Sequence, residues 1–380
     1  MPHTNTQIMI VAGEASGDLH AAKLVRAMRE KSPNTEFAFF GAAGPKMRES
    51  GVEPIVRSDE LSIVGLFEIA QALPMFLRAF RELKRAVRSR KPAVAILVDF
   101  PDFNLKLAKA LKKHHVKVVY YISPQLWAWR SYRVNAVKKY VDLMITILPF
   151  EADWYRTRSF ENVEYVGNPL ATEVHSDVSK DEFCQDYGLD PASPIVALLP
   201  GSRSKEITRI LPVMLDAAAI IKQSRSDIQF VIAAADTASA GRMKDIAGED
   251  WKIIVGATYG ALSVCDGAAV ASGTATLEAA ILGAPMAIVY KTSALNYALL
   301  RPLISVEHFG LVNLIAGERV AREMIQHEFT SEALADELVR LLKPDVNNQI
   351  REKLRLTTDK LGHGGASKRA AEAVLVLLRR

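Results

Sequence analysis

Five short segments carry residue types suited to phosphate and hydroxyl chemistry, and each follows an apolar run that reads as a strand. The first is Gly13-Glu14-Ala15-Ser16-Gly17-Asp18, where two glycines let backbone approach a ligand and a following helix offers unpaired N–H groups. Its spacing is not G-x-G-x-x-G, which disfavours a nicotinamide cofactor. The same residues would also serve as a plain turn with Ser16 or Asp18 as the helix cap. The second is Asp99-Phe100-Pro101-Asp102-Phe103-Asn104. A carboxylate at a strand's carboxyl end can act as general base, which suits Asp99, while Asp102 suits the cap of the next helix. Either could instead be a satisfied turn residue.

The third segment, Ser123-Pro124-Gln125-Leu126-Trp127-Ala128-Trp129-Arg130, brings two tryptophans beside Arg130 and Arg133. Such a loop suits a wall that stacks on sugar or touches acyl chains with an anion nearby, or simply two packed indoles. The fourth is Pro200-Gly201-Ser202-Arg203-Ser204-Lys205-Glu206. Gly201 permits close approach, the helix start favours an anion, and Arg203 can fork onto the oxygens of a departing diphosphate. It lacks the spacing of a nucleoside-triphosphate P-loop. In the fifth, Ser272-Gly273-Thr274-Ala275-Thr276-Leu277-Glu278, Thr274 and the turn amides are placed for phosphate. Glu278, one turn into the helix, can accept ribose hydroxyls or can merely answer the helix dipole.

No H-E-x-x-H, C-x-x-C or D-x-D element occurs, so neither a required metal nor a cofactor is expected. The 8 histidines are scattered, and no G-x-S-x-G elbow frames a nucleophile.

Elements that could position these segments alternate along the chain. Strands are expected at Ile8–Ala12, Glu36–Gly41, Ala93–Val98, Val116–Ile122, Leu143–Ile147 and Val163–Val166. A second series runs Ile195–Leu199, Gln229–Ala233, Lys252–Val255, Gly267–Ala271 and Met286–Val289. Helical patterns such as Leu19–Lys31 and Leu105–His114 lie between them. Strands alternating with helices make an α/β fold of doubly wound parallel sheets. A chain of 380 residues exceeds one ordinary core, so two domains are expected, divided near Gly167-Asn168-Pro169. Ligands of such sheets bind at the carboxyl ends of strands, which makes the gap between facing domains the expected active site.

Two cysteines far apart argue against a disulfide framework. The opening MPHTNTQIMIVAG reads as a lead-in to a strand rather than an export signal, and a soluble, cytoplasmic protein is expected. A net charge of +5 favours anionic partners. Nucleic acid is not among them, for no binding motif or long aromatic–basic surface appears. From Leu61 to Val87, Leu66, Ile69, Ala70, Leu73, Phe76, Leu77, Phe80 and Leu83 recur at helical spacing, and basic residues from Arg78 to Lys91 accompany them. Residues 61–91 therefore read as a helical segment lying on an anionic membrane surface, broken or bent at Pro74; a crossover helix packed on a sheet would look partly similar.

Together with Gly41-Ala42-Ala43-Gly44-Pro45-Lys46-Met47, Leu148-Pro149-Phe150-Glu151 and Asn313-Leu314-Ile315-Ala316-Gly317, the five segments resemble the lipid-A-disaccharide synthase family in order and over nearly the whole chain. The resemblance implies a GT-B fold, with two facing Rossmann-like domains. The first, 1–168, binds acceptor and lipid and is completed by about 350–380; the second, 169–349, binds the UDP-sugar. It implies a UDP-sugar lipid donor, a lipid monosaccharide phosphate acceptor, and work at the cytosolic face of the inner membrane. Asp99 would be the general base, Arg203 and Ser202 would stabilise leaving UDP, Glu278 would hold ribose, and Asn313 would line the same pocket. Glu14, Ser16 and Gly17 would face them. Ala15, Phe100 and Gln125 depart from the family's usual residues without removing a charged group; Phe100 and Gln125 would tune acceptor fit. The ending Gly362-His363-Gly364-Gly365-Ala366-Ser367 and its helix resemble the segment that crosses back onto the first domain, a region that can also enter a swapped homodimer. A UDP-sugar epimerase of the same architecture and a non-catalytic lipid or nucleotide binder are the competing readings.

Overall fold

The computed structural model describes residues 6–61, 69–294, 297–298, 301 and 306–379. The chain divides into two compact units, Met1–Pro169 with Gly364–Arg380, and Leu170–His363.

The first unit is a seven-stranded parallel sheet in the order β3-β2-β1-β4-β5-β6-β7. Its strands are β1 (Thr6–Ala12), β2 (Phe37–Ala43), β3 (Glu53–Arg57), β4 (Val94–Val98), β5 (Lys117–Tyr121), β6 (Leu143–Thr146) and β7 (Val163–Tyr165). Successive side chains on a strand point to opposite faces. Ile8, Ile10 and Ala12 thus join one buried cluster with the helix Ala15–Lys31 and the last helix Ala366–Arg379. Met9 and Val11 join the other, with Leu83 and Val87 of the helix Ile69–Arg90 and Leu107 and Leu111 of the helix Pro101–Lys112. Central strands covered on both faces have no polar side to show, which is why β1 and β4 read as continuous apolar runs.

The second unit repeats the plan with six parallel strands in the order β10-β9-β8-β11-β12-β13. They are β8 (Ile195–Leu199), β9 (Gln229–Ala234), β10 (Ile253–Val255), β11 (Gly267–Ala271), β12 (Met286–Tyr290) and β13 (Arg322–Ile325). The helices Ser204–Ser224 and Ser331–Leu341 cover it within one buried cluster.

Several expectations need correction. Helices Ala15–Lys31 and Pro101–Lys112 begin one turn earlier than their apolar patterns, so Ser16 and Gly17 lie inside the first turn. Pro74 does not divide its segment: Ile69–Arg90 is one helix. Residues 62–68, including Leu66, lie outside the described residues. The return to the first unit begins at Gly364 rather than near 350, since the helix Pro344–Asp359 buries Ile350 and Leu354 in the second unit's core. Among the described residues, no helix is long and apolar enough to cross a membrane.

Asp18 joins two of the sequence segments. Its buried carboxylate accepts from the backbone N–H groups of Gly44 (2.8 Å), Lys46 (2.8 Å) and Met47 (3.2 Å), capping the helix Pro45–Glu49. A Cβ at Gly44 would lie 2.5 Å from the Asp18 carboxyl carbon, so only glycine admits the cap. Asp18→Ala leaves three donors unanswered and is expected to cost about 2–4 kcal/mol, read as a lowered urea midpoint at unchanged slope.

Candidate active site

In a doubly wound sheet the crevice lies where the strand order reverses, at the carboxyl ends of the two central strands. In the first unit those strands are β1 and β4, and the turns leaving them are Gly13–Asp18 and Asp99–Asn104. Asp99 and Phe100 both adopt left-handed backbone, with φ of 46° and 50°. Each such residue costs about 1–2 kcal/mol, so something must hold them there. The Asn104 amide (2.7 Å) and the Tyr120 hydroxyl (2.7 Å) both donate to the Asp99 carbonyl, and the Asp99 N–H donates to Tyr121 on β5 (3.0 Å). The Phe100 ring lies against Gly13, where a Cβ would meet it at 2.5 Å, so the two turns touch.

This geometry leaves the Asp99 carboxyl half-buried. Burial pushes it from its ordinary 3.8 up to about 6, the Glu14 carboxylate adds to the rise, and a backbone hydrogen bond at Phe100 offsets part of it. Such a group is ionised at neutral pH yet basic enough to take a proton from a hydroxyl. Glu14 and Ser16 are exposed and Gly17 is buried beneath them.

The loop after β5 is partly structural. Trp127 was expected on a substrate wall, but it is buried, its Nε1 donates to Glu151 (3.0 Å) and its ring meets Phe150 edge-on. Burial pushes the Glu151 carboxyl up to about 7, and its bond to Trp127 limits the rise. Ser123 and the Tyr155 hydroxyl pair at 3.0 Å on the same anchor. Gln125 stays exposed, and Trp129 rather than Trp127 is the accessible indole, with the Arg130 guanidinium 4.2 Å above its ring. Asp102 is not the helix cap; Phe100 takes that position, and Asp102 in the first turn pairs with Arg133 and, at 3.4 Å, with Arg130. Arg130 is itself left-handed, with φ of 55°. An exposed pair returns about 0–1 kcal/mol, less than that backbone costs.

In the second unit the reversal falls between β8 and β11, and a cavity of about 950 Å³ opens there, lined by Leu199, Ala233 and Ala271 at strand ends. Gly201, Ser202, Arg203, Gly273, Thr274, Ala275 and Glu278 all line it. Two helix starts, Ser204–Ser224 and Thr274–Ile281, border this space, and neither Arg203 nor Gly273 at their caps accepts a first-turn N–H through its side chain in the way Ser or Asp would. Those donors, with an Arg203 side chain that is 84% exposed and pairs with Glu206 at 3.2 Å, make an end that can accept an anion. Glu278 sits deeper, where burial raises its pKa and a hydrogen bond from the Tyr259 hydroxyl (3.1 Å) offsets part of the rise. Space is open around Gly273, whose φ is 156°.

Asn313 is absent from this cavity. Its side chain is fully buried, donating to the Ala321 carbonyl and Glu323 and accepting from the N–H groups of Val320 and Ala321, so no valence remains for a ligand. Tyr259 and Gly256 also line the cavity; Gly256, with φ of 73°, follows a strand like the other sites, whereas Tyr259 has no local sequence signal. Among the described residues no group of three or more His, Cys, Asp or Glu could hold a metal ion.

The raised Asp99 carboxyl has a stability consequence. A carboxyl whose folded pKa exceeds its unfolded value stabilises the fold relative to an always-ionised group below 3.8, and loses that advantage as pH rises to about 6. Asp99→Asn, which never ionises, should therefore match the wild type near pH 4 and exceed it by about 2–3 kcal/mol above pH 6. Urea unfolding across this range checks the divergence, and parallel curves would mean the carboxyl is not perturbed.

Comparison with known proteins agrees with this layout. The model of a family described as lipid-A-disaccharide synthetase matches residues 8–376. The chain is 45% identical over 378 residues to a lipid-A-disaccharide synthase from Syntrophus aciditrophicus, covering 98% of both chains. It is 42% identical over 380 residues to one from Geobacter sulfurreducens, covering 99% of this chain and 98% of that one. Solved structures with the same fold include a UDP-GlcNAc 2-epimerase from Neisseria meningitidis bound to UDP-GlcNAc, with TM-score 0.65, 12% identity and coverage of 98% and 100%. A glycosyltransferase from Rickettsia africae aligns with TM-score 0.59 and 12% identity over 99% of each chain. The epimerase likeness is one of fold, whereas the sequence match runs from β1 into the last helix and takes in both strand-reversal sites. The chain is a glycosyltransferase and belongs to the lipid-A-disaccharide synthase family.

Proposed function

We propose that the chain joins UDP-2,3-diacylglucosamine to 2,3-diacylglucosamine 1-phosphate, giving the β-1,6-linked disaccharide 1-phosphate and UDP with inversion at the donor's anomeric carbon. The observation that carries the mechanism is the Asp99 carboxyl, set at the reversal of the first sheet and pushed up to about 6. The acceptor's 6-hydroxyl gives its proton to this carboxylate while its oxygen bonds to the anomeric carbon. The bond from that carbon to the UDP oxygen breaks, and the diphosphate leaves with the electron pair. Arg203, Ser202 and the two helix starts receive the charge developing on it, which is where preorganised donors lower a barrier most. Glu278 holds the ribose hydroxyls, with Tyr259 fixing the carboxylate. Glu14 keeps the base basic, since a neighbouring negative charge disfavours ionisation.

The lipid side of the reading is supported by the first unit's surface. On the helix Ile69–Arg90, Leu73 and Leu77 are 56% and 46% exposed, while Phe76 and Phe80 pack on Phe100 and Phe103 beside the Asp99 turn. Arg81, Arg85 and Arg88 are exposed on the same helix. An apolar strip with arginines suits the acyl chains of the substrates and the anionic inner-membrane surface they come from.

Incubation with both lipid substrates in detergent should release UDP and disaccharide in equal amounts; a folded wild type that releases neither refutes the reading. Asp99→Asn should lower kcat by roughly two to four orders of magnitude. Activity governed by this base should fall as pH drops through about 6. Glu14→Gln removes a like charge, so the acid limb of its kcat/KM profile should move to lower pH; an unmoved limb would assign the titration to another group.

A further inference from the structure

Three charged side chains near the Asp99 turn, Asp102, Arg130 and Arg133, have no part in the proposed reaction. Arg130 and Arg133 converge on one oxygen of the exposed Asp102 carboxylate, three residues after Asp99. The Tyr120 hydroxyl donates to the Asp99 carbonyl at 2.7 Å. Burial drives its pKa well up, the charges of Asp99, Tyr155 and Asp102 act in the same direction, and Arg133 acts against them. The Arg130 guanidinium lies 4.2 Å from the centre of the Trp129 ring, and its Nη1 reaches Asp102 at 3.4 Å. Its loop is held from beneath by the Trp127–Glu151 and Ser123–Tyr155 hydrogen bonds.

Two guanidiniums on one carboxylate leave an unbalanced positive charge. An exposed ion pair does not repay the left-handed backbone of Arg130, so the arrangement is not explained by stability. It is explained by an anion with several oxygens, which two forked donors can grip together. We propose that Arg133 and Arg130, oriented by Asp102, form the subsite for the acceptor's anomeric phosphate. This rests on the functional reading above. In a glucosamine 1-phosphate the carbon bearing phosphate and the carbon bearing the 6-hydroxymethyl group both adjoin the ring oxygen. A hydroxyl at Asp99 thus carries its phosphate within one sugar width, and Asp102, three residues along the chain from Asp99, draws both guanidiniums to the same turn. The donor's diphosphate has the same oxygen chemistry, and the test separates the two.

Rates are measured for wild type, Arg130→Ala, Arg133→Ala and Arg133→Lys, with the phosphorylated acceptor and its dephosphorylated counterpart in one detergent. Each alanine variant should raise the KM for phosphorylated acceptor about 10- to 100-fold and reduce the preference for phosphate by a similar factor, leaving donor KM within about twofold. Arg133→Lys, which keeps charge but not the fork, should fall between; it decides the matter if an alanine variant fails to fold. An unchanged preference in folded variants overturns the subsite, as does a rise confined to donor KM, which would assign the arginines to the diphosphate. Phosphorus NMR of free glucosamine 1-phosphate supplies a readout independent of turnover. If wild type makes no disaccharide but broadens this signal in an Arg133-dependent way, the reaction is refuted and the anion site stands. Equal broadening by all variants, or none by wild type, refutes the subsite.

Discussion

One carbonyl oxygen carries much of the first unit's chemistry. The Asn104 amide and the Tyr120 hydroxyl both donate to the Asp99 carbonyl, pinning a turn whose two left-handed residues would otherwise relax. Because β4 is buried on both faces and hydrogen-bonded to β1 and β5, the chain cannot shift along the sheet to relieve that strain. The turn therefore presents a carboxylate at a fixed point, near a second carboxylate and away from bulk water. Basicity here is a product of backbone geometry as much as of residue type.

The two units divide the electrostatic labour. The first holds acidic groups at its strand reversal and raises the pKa of one of them; the second holds helix starts and Arg203 at the equivalent place. The same sheet plan thus places a carboxyl of raised pKa at the reversal of one half and a cavity bordered by two helix starts at the reversal of the other, the proton acceptor and the anion receiver of the proposed reaction.

How much of this was legible in sequence follows from what a pattern of side chains encodes. The eleven expected strands are all present because buried strands leave dense apolar runs. The two missed, β3 (Glu-Pro-Ile-Val-Arg) and β13 (Arg-Glu-Met-Ile), are short and polar edge strands, and such edges avoid the apolar signature that makes interior strands visible. At the sites, turns following buried strands placed seven residues around one cavity. What the pattern could not give is the direction of a side chain. Trp127 and Asn313 sit in the right segments, yet one turns inward to Glu151 and the other spends its amide on the backbone near Ala321. Asp102 has the composition of a cap, but Pro101 already starts the helix, which frees its carboxylate for the arginines. Tyr259 carries no local signal, since its role exists only through Glu278, nineteen residues away.

The final helix has a consequence for biosynthesis. Ala370, Ala371 and Val374 fill the face of the first sheet beside Ala21, Leu24 and Val25, and Arg369 donates to the Val166 carbonyl at 2.8 Å. During translation, strands β1 to β7 emerge long before this cover exists, and the whole of Leu170–His363 is made in between. The second unit is continuous and can fold as it leaves the ribosome, whereas the first waits with an apolar face exposed until Ala366–Arg379 has been made. The half that carries Asp99 is begun before the second unit and completed only after it, and it is the half most in need of chaperoning.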